Sequence, residues 1–139
     1  MAVVLSPCGN KYHYAWSFGS IVGPIYQPTL SLYDCFCGYF SIEDDGGNEG
    51  FYLSFPLSVG CNTNGRFQIS GTRGGTVSDR VTVNANGVQV YDSGCGATDF
   101  DSGVLNIPSG TTYMEITVEA RCSGTDTTYW SFLFGATCA

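Results

Sequence analysis

Residues 79–94 read DRVTVNANGVQVYDSG, and their pattern decides the fold. Asn86-Gly87 stands between two runs that alternate apolar and polar residues. Such a pair favours a type I′ turn, which needs positive φ at both central residues, so the stretch predicts a tight β-hairpin. A two-residue loop fixes the register: Ala85 opposes Val88, Val83 opposes Val90, and Val81 opposes Asp92. Paired residues share a face. Val81, Val83, Ala85, Val88 and Val90 therefore make an apolar side, and Thr82, Asn84, Gln89 and Tyr91 a more polar one. A slip of one residue would exchange the two sides, so the register is strongly specified. The stretch reads as the central hairpin of an antiparallel sheet.

The flanking sequence continues in the same period. Phe51, Leu53, Phe55, Leu57 and Val59 alternate with Tyr52, Ser54, Pro56 and Ser58, and Pro56 predicts an edge or a bulge there. Phe67 and Ile69 form one face of a strand over residues 66–70, followed by a glycine-rich loop over 71–78. A loop over residues 94–102 and a short strand over 104–107 come next. Residues 113–122 form the clearest strand, with Met114, Ile116, Val118, Ala120 and Cys122 inward. Residues 129–134 close the sheet, with Trp130, Phe132 and Phe134 sharing a face and assigned to the core. Eight or nine short strands leave no room for a βαβ crossover. The fold class that follows is all-β: an antiparallel two-sheet sandwich of jelly-roll or Greek-key type, with residues 1–139 as a single domain. Residues 1–30 are aromatic and broken by Gly and Pro. They read as a first strand with a long connection, or as an arm that packs on a neighbouring subunit.

Composition narrows the function classes. A net charge of −7 with five basic residues argues against nucleic-acid binding, which needs a basic stripe, and against an anionic membrane surface. No apolar run reaches the roughly 18 residues of a membrane helix. The N-terminus MAVVLSPCGNKYHYAW lacks the charged start and long apolar run of an intact signal peptide. The seven cysteines, Cys8, Cys35, Cys37, Cys61, Cys95, Cys122 and Cys138, read either as a disulfide framework or as buried thiols, and their pairing does not follow from spacing.

Residues 66–138 resemble a β-sandwich module of bacteriophage virion appendage and decoration proteins. The resemblance is carried by Ser78-Asp79-Arg80-Val81-Thr82-Val83, by Asn86-Gly87-Val88, and by Tyr91-Asp92-Ser93-Gly94. Pro108-Ser109-Gly110-Thr111-Thr112 and Thr127-Thr128-Tyr129-Trp130-Ser131-Phe132, running to Cys138, complete it. It implies a structural or ligand-binding role in a virion, with other virion proteins as partners, and carries over no catalytic residue.

Catalytic and metal constellations are weak in the sequence. The single histidine, His13, lies between Tyr12 and Tyr14, and no serine sits in a nucleophile elbow. Asp99 with Asp101, and Asp44, Asp45 and Glu49, lie in glycine-rich turns rather than across a cleft. Cys35-x-Cys37 lacks zinc-knuckle spacing, and the 44–49 turn lacks the ligand order of an EF-hand. The expectation is a non-enzymatic protein without metal or cofactor. Tyr12, Tyr14, Trp16, Tyr39, Tyr52, Tyr91 and Tyr113 are expected on outward faces, where they suit a subunit interface in a homo-oligomer or, alternatively, a glycan-binding surface. The expected location is a virion, with an extracellular setting as the alternative.

Overall fold

Asn86 and Gly87 both adopt positive φ, +48° and +79°. The predicted turn is present, and Val88 pairs with Ala85 and Gln89 with Asn84. Beyond Gln89 the register differs from the expectation: Tyr91, not Val90, opposes Val83, and Asp92 opposes Thr82. Val90 is the extra residue of a β-bulge. An unbroken ladder would have set Asp92 against the wholly buried Val81 and carried a carboxylate into the core. The bulge instead turns Asp92 outward, to an ion pair with Arg80 at 2.9 Å. It turns Tyr91 inward, where its ring lies over Phe100 at a centroid distance of 6.4 Å.

This computed structural model describes residues 2–7, 14–17, 21–22, 25–26, 29–32, 38–43, 50–56, 66–75, 77–108, 110–124 and 128–137, with side-chain burial from residue 50 onward. Among them are thirteen strands and no helix. The first five are β1 (Ala2–Pro7), β2 (Tyr14–Ser17), β3 (Ile21–Val22), β4 (Ile25–Tyr26) and β5 (Thr29–Leu32). Next come β6 (Gly38–Glu43), β7 (Gly50–Pro56), β8 (Arg66–Gly75) and β9 (Arg80–Ala85). The last four are β10 (Val88–Asp92), β11 (Phe100–Asp101), β12 (Tyr113–Glu119) and β13 (Thr128–Thr137).

The strands form two stacked sheets, ordered β1-β6-β13-β8-β11 and β10-β9-β12-β7-β4-β3, beside a β2-β5 ribbon. Pairing is antiparallel except where β4 runs alongside β7. From β6 to β13 the chain changes sheet at every connection but one, the β9–β10 hairpin. The resulting sub-orders, β6-β13-β8-β11 and β7-β12-β9-β10, are those of the two four-stranded sheets of a jelly roll.

Within residues 1–30 the described residues form short strands. These pair within the chain: β1 extends the first sheet through β6, the β3–β4 hairpin joins β7, and β2 pairs with β5. These short additions explain why thirteen strands appear where eight or nine were expected.

The core lies between the sheets. Phe51, Leu53 and Phe55 of β7 and Met114, Ile116 and Val118 of β12 face Phe67 and Ile69 of β8 and Trp130, Phe132 and Phe134 of β13. Rings clasp across the layers: Phe51 meets Phe132 at 5.3 Å and 68°, and Phe55 meets Phe134 at 5.6 Å and 74°. These edge-on arrangements are the ones aromatic quadrupoles favour.

Four further expectations are corrected. The glycine-rich stretch after residue 70 is strand, because β8 runs to Gly75. At Gly71 a Cβ would lie 2.0 Å from the Ser131 carbonyl oxygen and 3.0 Å from Phe100 Cζ, so only a residue without a side chain lets β8 and β13 approach there. The strand over residues 113–122 stops at Glu119, and Arg121 takes φ +57° in the turn that follows. No strand forms over 104–107; Leu105 makes a single bridge to Phe67, while the 94–102 loop contains β11. Pro56 is the last residue of β7, which is interior to its sheet, and β4 pairs only with Gly50 and Phe51, so the missing N–H costs no ladder bond to β4.

Candidate functional site

Alternation in β7, β12 and β9 buries one side of each strand and leaves the other facing outward. The outward residues line up in rows. Glu115 stands between Ser54 and Asn84, and Thr117 between Tyr52 and Thr82. Adjacent strands are about 4.8 Å apart, so the row members are side-by-side neighbours. Tyr113 is 38% exposed at one end of the face. A Cβ on Gly87 would lie 3.6 Å from the Tyr113 hydroxyl, so this ring lies along the hairpin tip.

Polar contacts hold the face in place. The Tyr52 hydroxyl donates to Glu115 Oε2 at 2.5 Å. That bond, ahead of burial and of the carboxylate's charge, raises the Tyr52 hydroxyl above its ordinary value. Asn86 fastens the hairpin tip to the start of β12. Its Oδ1 accepts from Thr112 N at 2.9 Å and Tyr113 N at 3.2 Å, and its backbone N donates to Tyr113 O at 3.1 Å. At the far end Arg80 donates through Nε and Nη2 to Asp92, at 3.0 and 2.9 Å. The Arg80 guanidinium and then the Gly94 N–H hold the Asp92 carboxyl below the usual carboxylate range. The face offers two tyrosine rings, an amide, hydroxyls and a carboxylate, a set suited to stacking and hydrogen bonding.

The candidate residues from the sequence divide accordingly. Tyr52 and Tyr113 share this face. Tyr91 does not: the bulge turns it onto the core against Phe100, correcting the outward placement expected for it. Tyr14, Trp16 and Tyr39 fall in β2 and β6, but their side chains lie outside the described residues, as does Tyr12. His13, Asp44, Asp45 and Glu49 also lie outside them, together with Cys8, Cys35, Cys37, Cys61 and Cys138. Cys95 and Cys122 form a disulfide. Asp99 is exposed, and Asp101 accepts from Gly103 N and then from Gln68 Nε2, both at 2.8 Å, bonds that lower its carboxyl. Among the described residues no group of three His, Cys, Asp or Glu side chains gathers as a metal site.

Sequence reasoning missed a second polar cluster, beside the Arg80–Asp92 pair. Arg73 is almost buried. Its Nη1 donates to the carbonyls of Gly94 (2.7 Å) and Asp79 (3.1 Å) and to Ser93 Oγ (2.9 Å). Its Nε donates to Thr98 O at 2.8 Å, and the guanidinium lies 5.4 Å from the Phe100 ring centroid. A single arginine thus pins the β10–β11 loop to the entry of β9. The only signal for it was an arginine between small residues in a stretch that read as loop.

No protein-family profile matches the chain, and no curated protein matches it. Among solved structures the chain is similar to the pre-peptidase C-terminal domain of a collagenase from Bacillus anthracis. That likeness has 7% identity and a TM-score of 0.46, and covers 86% of this chain and 100% of that one. A likeness of that size carries no argument about function.

Proposed function

We propose that the chain is a non-enzymatic structural subunit of a phage-like virion, a capsid decoration or tail appendage protein, that binds neighbouring protein through the outer face of β9, β12 and β7. The observation that carries the contact is the grouping of Tyr52, Tyr113, Asn84 and Glu115 on the outward face of one sheet. Tyrosine brings large area at low entropic cost and is enriched at protein interfaces. The virion setting rests on the sequence resemblance of residues 66–138. Partners of the same kind, including further copies of the chain, fit such a face. Light scattering after size exclusion, with imaging of particles that carry the chain, tests the reading. Association weakened by Tyr113→Ala is the expected outcome. A strictly monomeric chain at high concentration, with no particle association, would refute it.

One observation favours a second reading. Tyr52, Glu115 and Asn84 lie on adjacent strands and set a ring beside a carboxylate and an amide, groups that stack on and hydrogen-bond a glycan. Glycan-array binding lost in Asn84→Ala would support it, and no binding to any polysaccharide would remove it.

A further inference from the structure

Residues 78 and 79 carry the chain from β8 into β9, and they run between two other segments. On one side Asp79 N donates to Gly96 O at 2.9 Å, and Gly96 N to Asp79 O at 3.0 Å. On the other, Cys122 N donates to Ser78 O at 2.9 Å. Cys95 precedes Gly96, and the Cys95–Cys122 disulfide therefore joins the two segments that flank Asp79. It spans the only described acid that is wholly buried.

The Asp79 carboxyl has an unusual set of partners. Oδ1 accepts from Arg121 N at 3.1 Å and from the Thr128 hydroxyl. Oδ2 is buried and has no hydrogen-bond partner among the described residues. Arg73 reaches the main-chain oxygen of Asp79 through Nη1. A buried ionised carboxylate ordinarily needs a direct ion pair or several donors. Burial accordingly raises the Asp79 carboxyl above its ordinary value, against the Thr128 hydroxyl, the Arg121 N–H and the field of Arg73. The charged groups around it are Arg73 from β8, Arg121 from the turn after β12, and the Arg80–Asp92 pair on β9 and β10.

The geometry points to a redox latch: the Cys95–Cys122 disulfide seals Asp79 from solvent, and reduction by a dithiol opens this end of the sandwich and exposes the carboxyl. Cys95 is the exposed partner and Cys122 the half-buried one. A dithiol thiolate attacks Cys95 Sγ, the S–S bond breaks, and Cys122 leaves as thiolate and takes up a proton. The second thiol of the reductant then displaces Cys95 in the same way. Two electrons pass to the protein, which gains two thiols, and the reductant ends as a disulfide.

The test uses the full chain, as wild type with and without dithiothreitol and as the Cys95→Ser, Cys122→Ser double variant. Infrared spectra follow the carboxylic-acid carbonyl band, assigned by its loss in Asp79→Asn. Amide exchange is read at Gly96 and Cys122, with β9 and β12 as internal controls. With the disulfide intact, the acid band persists above the pH at which exposed aspartates ionise. Without it, the band titrates with them, and exchange at Gly96 and Cys122 speeds up about tenfold or more while β9 and β12 are unchanged. Identical titration and exchange in both states would overturn the latch. So would loss of the β9 and β12 protection on reduction, because the latch opens one end and leaves the core closed.

Discussion

Replacing Gly71 with alanine puts a methyl group into a close backbone approach of β8 and β13. Its Cβ would lie 2.0 Å from the Ser131 carbonyl oxygen and 2.8 Å from Phe132 Cα, where Cβ atoms essentially never come nearer than 3.0 Å. Both contacts are main chain, so no rotamer change relieves them. β13 must withdraw by about 1 Å, which stretches neighbouring ladder bonds past their working length. Two such bonds are worth about 1–3 kcal/mol together. Displacing Phe100, whose Cζ is 3.0 Å from the same point, adds an overpacking cost of about 1–3 kcal/mol. The expected loss is roughly 3 kcal/mol, or about 10 °C in Tm. Gly74, three residues along the same strand, is the control. A Cβ there meets nothing within 4 Å, so Gly74→Ala should change stability by less than about 0.5 kcal/mol. Urea titration of both variants reads the difference as a shift in midpoint at constant slope. If Gly71→Ala is as mild as Gly74→Ala, then β8 and β13 do not approach under Phe100, and the account of the glycine-rich strand fails.

Asn86→Gly keeps the positive φ but removes the carboxamide that caps Thr112 and Tyr113; it should cost about 1–2 kcal/mol by urea titration. Asn86→Ala adds backbone strain and should cost about 1 kcal/mol more, and equal losses would show that the backbone conformation at residue 86 carries no penalty. Because the Asp79 carboxyl is raised, the folded state holds that proton more tightly than the unfolded state. Its contribution is therefore full below the ordinary carboxylate value and is lost as pH rises through the elevated one. Asp79→Asn should flatten that decline in a pH series of melts, and an unaltered pH profile would contradict the burial assigned to it. Asp92 has the opposite sign: its lowered carboxyl contributes above the ordinary value and loses that contribution as pH falls. Arg80→Ala should move the Asp92 titration, followed by carbon NMR, upward but not fully to normal, because the Gly94 N–H still bonds it; an unchanged titration would remove the ion pair.

The β9–β10 hairpin was legible because everything that fixes its turn lies within ten residues. It is also the one connection between β6 and β13 that stays within a sheet. The other connections cross from layer to layer, and no local pattern states which layer a strand joins; alternation gave the inward faces of β7, β12 and β13 but not their order. The bulge was not read from the sequence, although the ideal register set Asp92 opposite Val81, and a carboxylate directed at an apolar face is the conflict that the break relieves. Gly71 misled, since a glycine needed for close approach looks the same in sequence as one needed for a loop. The outer tyrosines Tyr52 and Tyr113 followed from alternation, whereas Tyr91 was misplaced by the bulge. The environments of Arg73 and Asp79 were invisible because, apart from their contact with each other, their partners come from distant segments. A lone arginine beside small residues does not announce four acceptors spread over residues 79–98.

Hydroxyl-radical footprinting of Tyr52 and Tyr113, in intact particles that carry the chain and in the isolated chain, tests the proposed contact most directly. The account predicts that both tyrosines lose reactivity on assembly while exposed residues at the opposite edge, such as Val104, keep theirs. Equal reactivity of Tyr52 and Tyr113 in the two states would contradict it.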